Sequence, residues 1–294
     1  MAEPILKWAG GKRQIITEVI DRLPFDVAKR QFHEPMFGAG AVTFALEPRS
    51  GSINDINPRL MRFYKVVRDS PRELIKFNEK HKYTKNYYYK ARERFNSGLV
   101  DPLDPIEEAS LLLCLNRSCF NGLYRENSKG EFNVPFGMYR KVDFVQEKRI
   151  LEGSKVLRNL NIFNEDFSYV LREARKGDVV YFDPPYQPLS HTSSFNSYSQ
   201  GGFDFSKQIE LSEAFRHLDE MGVFVVVSNS SAKEILDLYK KLDRFELKSD
   251  VMAKRAINSK AGDRGKIREL ILWNTPKELR PSKKTRPKLL TEFH

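Results

Sequence analysis

Asp183-Pro-Pro-Tyr186 makes the most specific chemical demand in this chain of 294 residues. It follows Val179-Val-Tyr-Phe182, an apolar run with the composition of a buried strand. A carboxylate, together with a carbonyl held rigid by two prolines, can accept the two N–H bonds of an amino group on an aromatic ring. Such a nitrogen is a poor nucleophile while its lone pair is delocalised, and two acceptors favour its pyramidal form. Tyr186 offers a ring for stacking on a planar base. A second motif, Glu34-Pro-Met-Phe-Gly-Ala-Gly-Ala41, lies between the short strand Phe32-His-Glu and a helix expected over Ala41 to Leu46. Gly38 and Gly40 permit a tight turn and close backbone approach to a ligand. Asp55, after a second short strand at Ser52-Ile-Asn, can accept hydrogen bonds from a ribose diol. Together these form a nucleoside-binding layout.

Other candidates carry less. Lys7-Trp-Ala-Gly-Gly-Lys-Arg13 lacks the Ser or Thr that a phosphate-binding Walker loop requires after its Lys, so phosphoryl transfer is set aside. Cys114 and Cys119 are too few for a disulfide framework and lack partners at metal-ligand spacing. Buried small hydrophobes is the reading for both, and no metal is expected.

These residues need a scaffold that ends strands at one edge. Val223-Phe-Val-Val-Val227, bounded by Gly222 and the turn-forming Ser228-Asn-Ser-Ser231, and Glu269-Leu-Ile-Leu-Trp273 are further strands. Apolar runs of this length suit a sheet covered on both faces. Helices are expected from Ser206, as cap, to about Leu218, over about Ala232 to Lys240, and from Pro58 onward. Strands alternating with helices predict a doubly wound α/β sheet. From Arg59 to Leu157 the pattern is mostly helical, with Ile106 to Arg117 an apolar helix, and then an aperiodic stretch from Cys119 to Tyr139.

Fifty Lys+Arg against 39 Asp+Glu leave a formal charge of +11, which suits a polyanionic partner. With 40% hydrophobic residues, wholesale disorder is excluded. No apolar run approaches the roughly 18 residues of a membrane span, and the N-terminus lacks a secretory pattern. A soluble, cytoplasmic protein is the expectation.

Lys7-Trp-Ala-Gly-Gly-Lys12, Phe37-Gly-Ala-Gly40, Asp55 and Asp183-Pro-Pro-Tyr186, in this order, resemble the Dam-type DNA adenine-N6 methyltransferases of the alpha group, which depend on S-adenosylmethionine. Leu115 to Arg125 and Gly130 to Tyr139 look like that family's target-recognition hairpin, and Pro188 to Phe195 also resembles family members. The resemblance implies a Rossmann-like methyltransferase sheet over 1–58 and 159–275. It implies an inserted, mainly helical target-recognition domain with a hairpin loop over 59–158. A basic tail, expected to be unfolded, occupies 276–294.

The resemblance also implies roles. Trp8, Lys12, Phe37, Gly38, Gly40, Asp55, Asp166, Phe167 and Asp183 would hold the cofactor, with Asn164 and Glu165 as rival polar contacts to Asp166. Asp183, Pro184 and Tyr186 would be catalytic. Arg117, Phe120, Asn121, Leu123, Arg125, Pro135 and Tyr139 would contact double-stranded DNA at GATC. Arg125 would read the first guanine and Phe120 would wedge into the base stack, while Tyr124 and Glu126 receive no role. Lys254, Arg255, Lys260, Arg264, Lys266 and Arg268 form a candidate phosphate strip. A restriction endonuclease of the same system is a candidate partner, a monomer or weak dimer is expected, and a bacterial, archaeal or phage source fits. Rival readings are transfer to RNA or protein nitrogen, or a DNA-binding regulator that keeps the fold. A nicotinamide-dependent dehydrogenase is disfavoured, because the glycine turn lacks the full G-x-G-x-x-G spacing.

Overall fold

The computed structural model describes residues 2–8, 15–185, 203–240, 246–254 and 266–281. After helix α1 (Ile16–Ile20), strand β1 (Phe32–Glu34) leads through the glycine turn into α2 (Ala41–Leu46) and then β2 (Gly51–Asn54). Helices α3 (Pro58–Asp69), α4 (Pro71–Asn78), α5 (Lys85–Ser97), α6 (Pro105–Ser118) and α7 (Glu147–Leu157) separate β2 from β3 (Asn161–Phe163). The chain continues through α8 (Val170–Glu173), β4 (Val179–Phe182), α9 (Phe205–Glu220), β5 (Phe224–Ser230), α10 (Lys233–Tyr239), β6 (Glu246–Lys254) and β7 (Lys266–Trp273).

The strands form one sheet in the order β3-β2-β1-β4-β5-β7-β6. Pairings from β3 to β5 are parallel, and β7 runs antiparallel to both neighbours. Every residue of β1, β2 and β4 is buried; of the three only β4, Val-Val-Tyr-Phe, is an unbroken apolar run, whereas β1 and β2 also bury His33, Glu34, Ser52 and Asn54. Side chains alternate across the sheet. Val179 and Tyr181 join the core under α1 and α2, with Phe32, Val226 and Ile271. Val180 and Phe182 join the core under α9 and α10, with Val225 and Val227. This is the doubly wound, Rossmann-like α/β architecture with an inserted helical region. A third core runs from Phe44 and Ile53 into Leu60, Leu113, Phe132 and Ile150, so the inserted helices share apolar packing with the sheet's first half.

Local signals explain several boundaries. Asn57 caps α3 by accepting from the Leu60 N–H, with Pro58 at the first turn, and Asp104 caps α6. Two expectations are corrected. Helix α9 is capped by Asp204, whose carboxylate accepts from the Lys207 N–H, rather than by Ser206. Ser228-Asn-Ser230 is not a turn: it extends β5, because β7 pairs with it through Ser228↔Ile271 and Ser230↔Glu269. Both cysteines are free and buried, and burial pushes each thiol up to about 12. Among the described residues no helix is long and apolar enough to cross a membrane, and no cluster of three or more His, Cys, Asp or Glu could hold a metal.

Gly51 opens β2 with φ of +131°, and an added Cβ would lie 1.9 Å from the Phe32 carbonyl oxygen. Strained backbone alone costs roughly 1–3 kcal/mol, and the clash would force β2 away from β1. Gly51→Ala should therefore lower the free energy of unfolding by at least that amount, read as a lower urea midpoint at unchanged slope by circular dichroism.

Candidate active site

Between β1 and β4 the strand order reverses, so connections leave the sheet in opposite directions and a crevice opens at the strands' carboxyl ends. Glu34 ends β1, and Asp183 follows β4 directly. The two-residue period carries Glu34 on from Phe32, Asp183 on from Tyr181 and Ser228 on from Val226, all on the face turned to α1 and α2. Ser228 Oγ donates to Asp183 Oδ1 at 2.9 Å, and the Tyr181 hydroxyl lies 2.9 Å from the same Ser228 Oγ. Pro184 is buried and Pro185 exposed, so the chain turns outward after the carboxylate.

Glu34 is buried and serves the glycine turn. Gly40 has no side chain with which to cap α2, and Glu34 Oε2 supplies the missing acceptor to the Thr43 N–H at 3.0 Å and to the Thr43 hydroxyl. Burial pushes the Glu34 carboxyl up to about 8 against those two bonds, and the charge of Asp183 pushes the same way.

The turn itself is shaped by rings. Gly38 and Gly40 have φ of +50° and +68°. A Cβ on Gly40 would meet the buried Phe37 ring at 2.2 Å, and one on Gly38 would meet Trp8 at 3.0 Å. Phe37 packs edge-on against Tyr64. Asp55 Oδ2 accepts from the Gly38 N–H at 2.9 Å and Oδ1 from the Asn57 N–H at 3.0 Å. Burial raises the Asp55 carboxyl above its ordinary range despite these bonds. Asp166 caps a short 3-10 turn through the Ser168 N–H and receives Lys207 Nζ at 3.3 Å. Partial burial opposes its ionisation, but the bonds from Ser168 and Lys207 prevail and hold it below the usual carboxylate range. Phe167 packs against Phe182 and Phe203. Trp8, Gly38 and Asp55 thus line a turn that lacks Cβ atoms at Gly38 and Gly40, with an acceptor carboxylate beside it. That donor set fits a nucleoside with a ribose diol.

The hairpin stands on α6. Phe120 N–H donates to the Pro135 carbonyl at 2.8 Å, and Asn133 N–H to the Arg125 carbonyl at 3.1 Å. Phe120 remains 43% exposed although its neighbours Cys119 and Gly122 are buried, so an aromatic ring is offered to solvent at the hairpin's base. Asn121 has φ of +55°, and Leu123 packs on the core. Arg125 is exposed, with Nε donating to Asn133 Oδ1 at 2.7 Å. The Tyr139 hydroxyl donates to the Cys119 carbonyl at 2.8 Å, and Lys7 Nζ sits 4.5 Å from its ring centre.

Arg117 behaves differently from its companions. It donates to the Ile5 carbonyl at 2.6 Å and to Gln146, and burial, with Arg149 nearby, lowers its guanidinium to about 10. It ties the N-terminal segment to the loop before α7. Lys12, Tyr186, Pro188 to Phe195, the side chains of the 254–268 strip and residues 282–294 lie outside the described residues.

Sequence reasoning missed three residues here. Asn116, fully buried, accepts from the Lys7 N–H at 2.9 Å and donates to the Lys7 and Gly122 carbonyls at 2.7 and 3.2 Å. Tyr124 stacks on Trp8 with ring centres 4.9 Å apart, joining the glycine turn to the hairpin. Ser228 was hidden by its turn-like composition. An alternation count carried past Val227 is the signal that would have placed it beside Asp183.

The sequence matches the family described as D12 class N6 adenine-specific DNA methyltransferase over residues 8–256. It is 39% identical over 275 residues to the type II methyltransferase M1.LlaDCHI of Lactococcus lactis subsp. cremoris, spanning 92% of this chain and 95% of that one. It is 39% identical over 291 residues to the type II methyltransferase M.MjaIII of Methanocaldococcus jannaschii, spanning 92% and 99%. It is 32% identical over 283 residues to the DNA adenine methylase of Escherichia coli strain K12, spanning 95% and 98%.

Glu34 gives a pH signature. Its folded value lies near 8 and its unfolded value in the ordinary carboxylate range. Stability from this group is therefore complete below that ordinary range and declines as pH rises through about 8. Glu34→Gln, neutral throughout, should flatten that decline, so its melting temperature should gain on the parent's between about pH 5 and about pH 9.

Proposed function

The chain belongs to the D12 class of N6 adenine-specific DNA methyltransferases, and on that premise we propose that it methylates the adenine of GATC in double-stranded DNA. The observation that carries the site assignment is Asp183, held by Ser228 at the switch point of the sheet beside the glycine turn. S-adenosylmethionine would be held by Trp8, Phe37, Gly38, Gly40, Asp55, Asp166 and Phe167, with Lys12 and Asp183 assigned by motif. When bound, it supplies an electrophilic sulfonium methyl: the N6 lone pair forms the N–C bond as the C–S pair leaves with sulfur.

The protein's own residues do the rest. Adenine leaves the stack, because its amino group cannot be reached within the duplex. Asp183 and the Pro184 carbonyl accept its two N–H bonds, and Tyr186, assigned by its motif, stacks on the ring. The amino lone pair is thereby turned toward the incoming carbon, so positioning supplies much of the acceleration. After transfer the nitrogen gives up one proton, first along its hydrogen bond to Asp183 and then to solvent.

Recognition falls to the hairpin. The exposed Arg125 can pair bidentately with guanine O6 and N7, the commonest specific contact in the major groove. Phe120 is the wedge that fills the stack where adenine leaves, and Asn121, Leu123, Pro135 and Tyr139 complete that surface. Arg117 is left out of it, since its guanidinium is committed to Ile5 and Gln146. The basic strip over 254–268 is proposed to meet phosphates, giving salt-dependent affinity. A restriction endonuclease cutting the same sequence is the partner this reading adds.

Asp183→Ala should lose methyl transfer to plasmid DNA while keeping DNA affinity in a gel shift. For the parent, digestion with nucleases that distinguish methylated from unmethylated GATC should show full protection, and unprotected plasmid that has nonetheless taken up labelled methyl would sink the GATC assignment. Arg125→Ala should narrow the kcat/KM ratio between GATC and a duplex altered at its first guanine by about 1–3 kcal/mol. An unchanged ratio would move guanine readout to another residue.

A further inference from the structure

We propose that Ser228 and Tyr181 are positioning residues that act in series on Asp183, forming a hydrogen-bond chain with one fixed direction. The inference rests on the reading of Asp183 as acceptor of the substrate amino group.

The direction follows from counting protons. A serine hydroxyl has one proton to give. Ser228 Oγ gives it to Asp183 Oδ1 at 2.9 Å. The Tyr181 hydroxyl, 2.9 Å from Ser228 Oγ, must then be the donor in that second bond. Tyr181 is fully buried and its hydroxyl is held well above its ordinary range by burial, with Asp183 and Glu34 adding to it, so the phenol keeps its proton. Ser228, also fully buried, has no competing solvent on its face of the sheet. The order Tyr181 O–H, Ser228 O–H, Asp183 carboxylate is thus set by the fold.

This chain has a task that packing alone would not require. Glu34 ends the neighbouring strand on the same face, where charge on either carboxyl disfavours charge on the other, while Glu269 on β7 lies on that face and acts on Tyr181. A neutral acid would present a donor to an amino group that needs an acceptor. A polarised serine hydroxyl favours the ionised form. Fixing Oδ1 also fixes the plane of the carboxylate, and with it the direction in which Asp183 meets the amino hydrogens.

The test is single-turnover methylation of a duplex containing the target, with saturating S-adenosylmethionine, across a pH series. Ser228→Ala should lower the rate by about tenfold or more, the scale of one lost bond to a charged group, with DNA affinity and KM for the methyl donor within about twofold. Its acidic limb should move to higher pH. Ser228→Thr, which keeps the hydroxyl, should restore both rate and limb. Tyr181→Phe should shift the limb the same way but less, and the double variant Ser228→Ala/Tyr181→Phe should be no slower than Ser228→Ala, because Tyr181 acts only through Ser228. An unshifted limb in Ser228→Ala, no rescue by threonine, or additive losses in the double variant would overturn the proposal. If Ser228→Ala fails to fold, the threonine and Tyr181→Phe variants decide it through the same limb. Asp183→Ala serves as the control: retained turnover there overturns the Asp183 reading itself, whereas an inactive Asp183→Ala beside an unaltered Ser228→Ala overturns only the chain.

Discussion

Glu34 and Asp183 end neighbouring strands on one face of the sheet, and each raises the cost of charging the other. An acceptor for an amino group has to be ionised, so the two carboxyl groups need different surroundings. Glu34 is enclosed and accepts from the N–H and hydroxyl of Thr43. Asp183 is partly exposed and receives a hydroxyl from Ser228. Burial favours the neutral form of Glu34, and a hydroxyl donated to a carboxylate favours its ionised form. The same bonds build the fold, because Glu34 supplies the cap that Gly40 cannot and so anchors α2 and the glycine turn to β1.

The glycine turn and the hairpin are separate in sequence and joined in space. Asn116 on α6 holds both faces of the Lys7 peptide and the Gly122 carbonyl. Trp8, one residue on, lies against Gly38 on one side and stacks on Tyr124 on the other. The Lys7 stem fills the space that a side chain at Gly122 would occupy. The segment beside the nucleoside turn and the segment that carries Phe120 and Arg125 therefore share one set of buried contacts. Displacing either would leave buried polar groups of the other unpaired, which is costly.

Much of this was legible in the order of residues. Apolar runs marked β4, β5 and β7, because strands covered on both faces are rich in apolar residues, while β1 and β2 showed only as short segments beside the glycine turn and Asp55. Pro58 marked the start of α3, whereas the acidic caps Asp104 and Asp204 came to light only in the structure. The short β3 and the polar β6 were not legible: β3 has only partial burial, and β6 is held by its pairing with β7 rather than by composition. Ser228-Asn-Ser230 misled for the same reason, since turn-forming residues became strand once β7 offered them partners.

What the sequence determined by itself is the local chemistry: a carboxylate before two prolines, glycines where φ must be positive, and an aromatic and an arginine in an aperiodic stretch of a basic chain. These depend on residue type and near spacing, which a linear pattern carries in full. The tertiary structure decided which groups face one another. It turned Arg117 inward, set Tyr124 on Trp8, and brought Tyr181 and Ser228 to Asp183 across two strands 45 residues apart in the Ser228–Asp183 bond. Sheet register and side-chain alternation fix those encounters, and register exists only after the strands have paired.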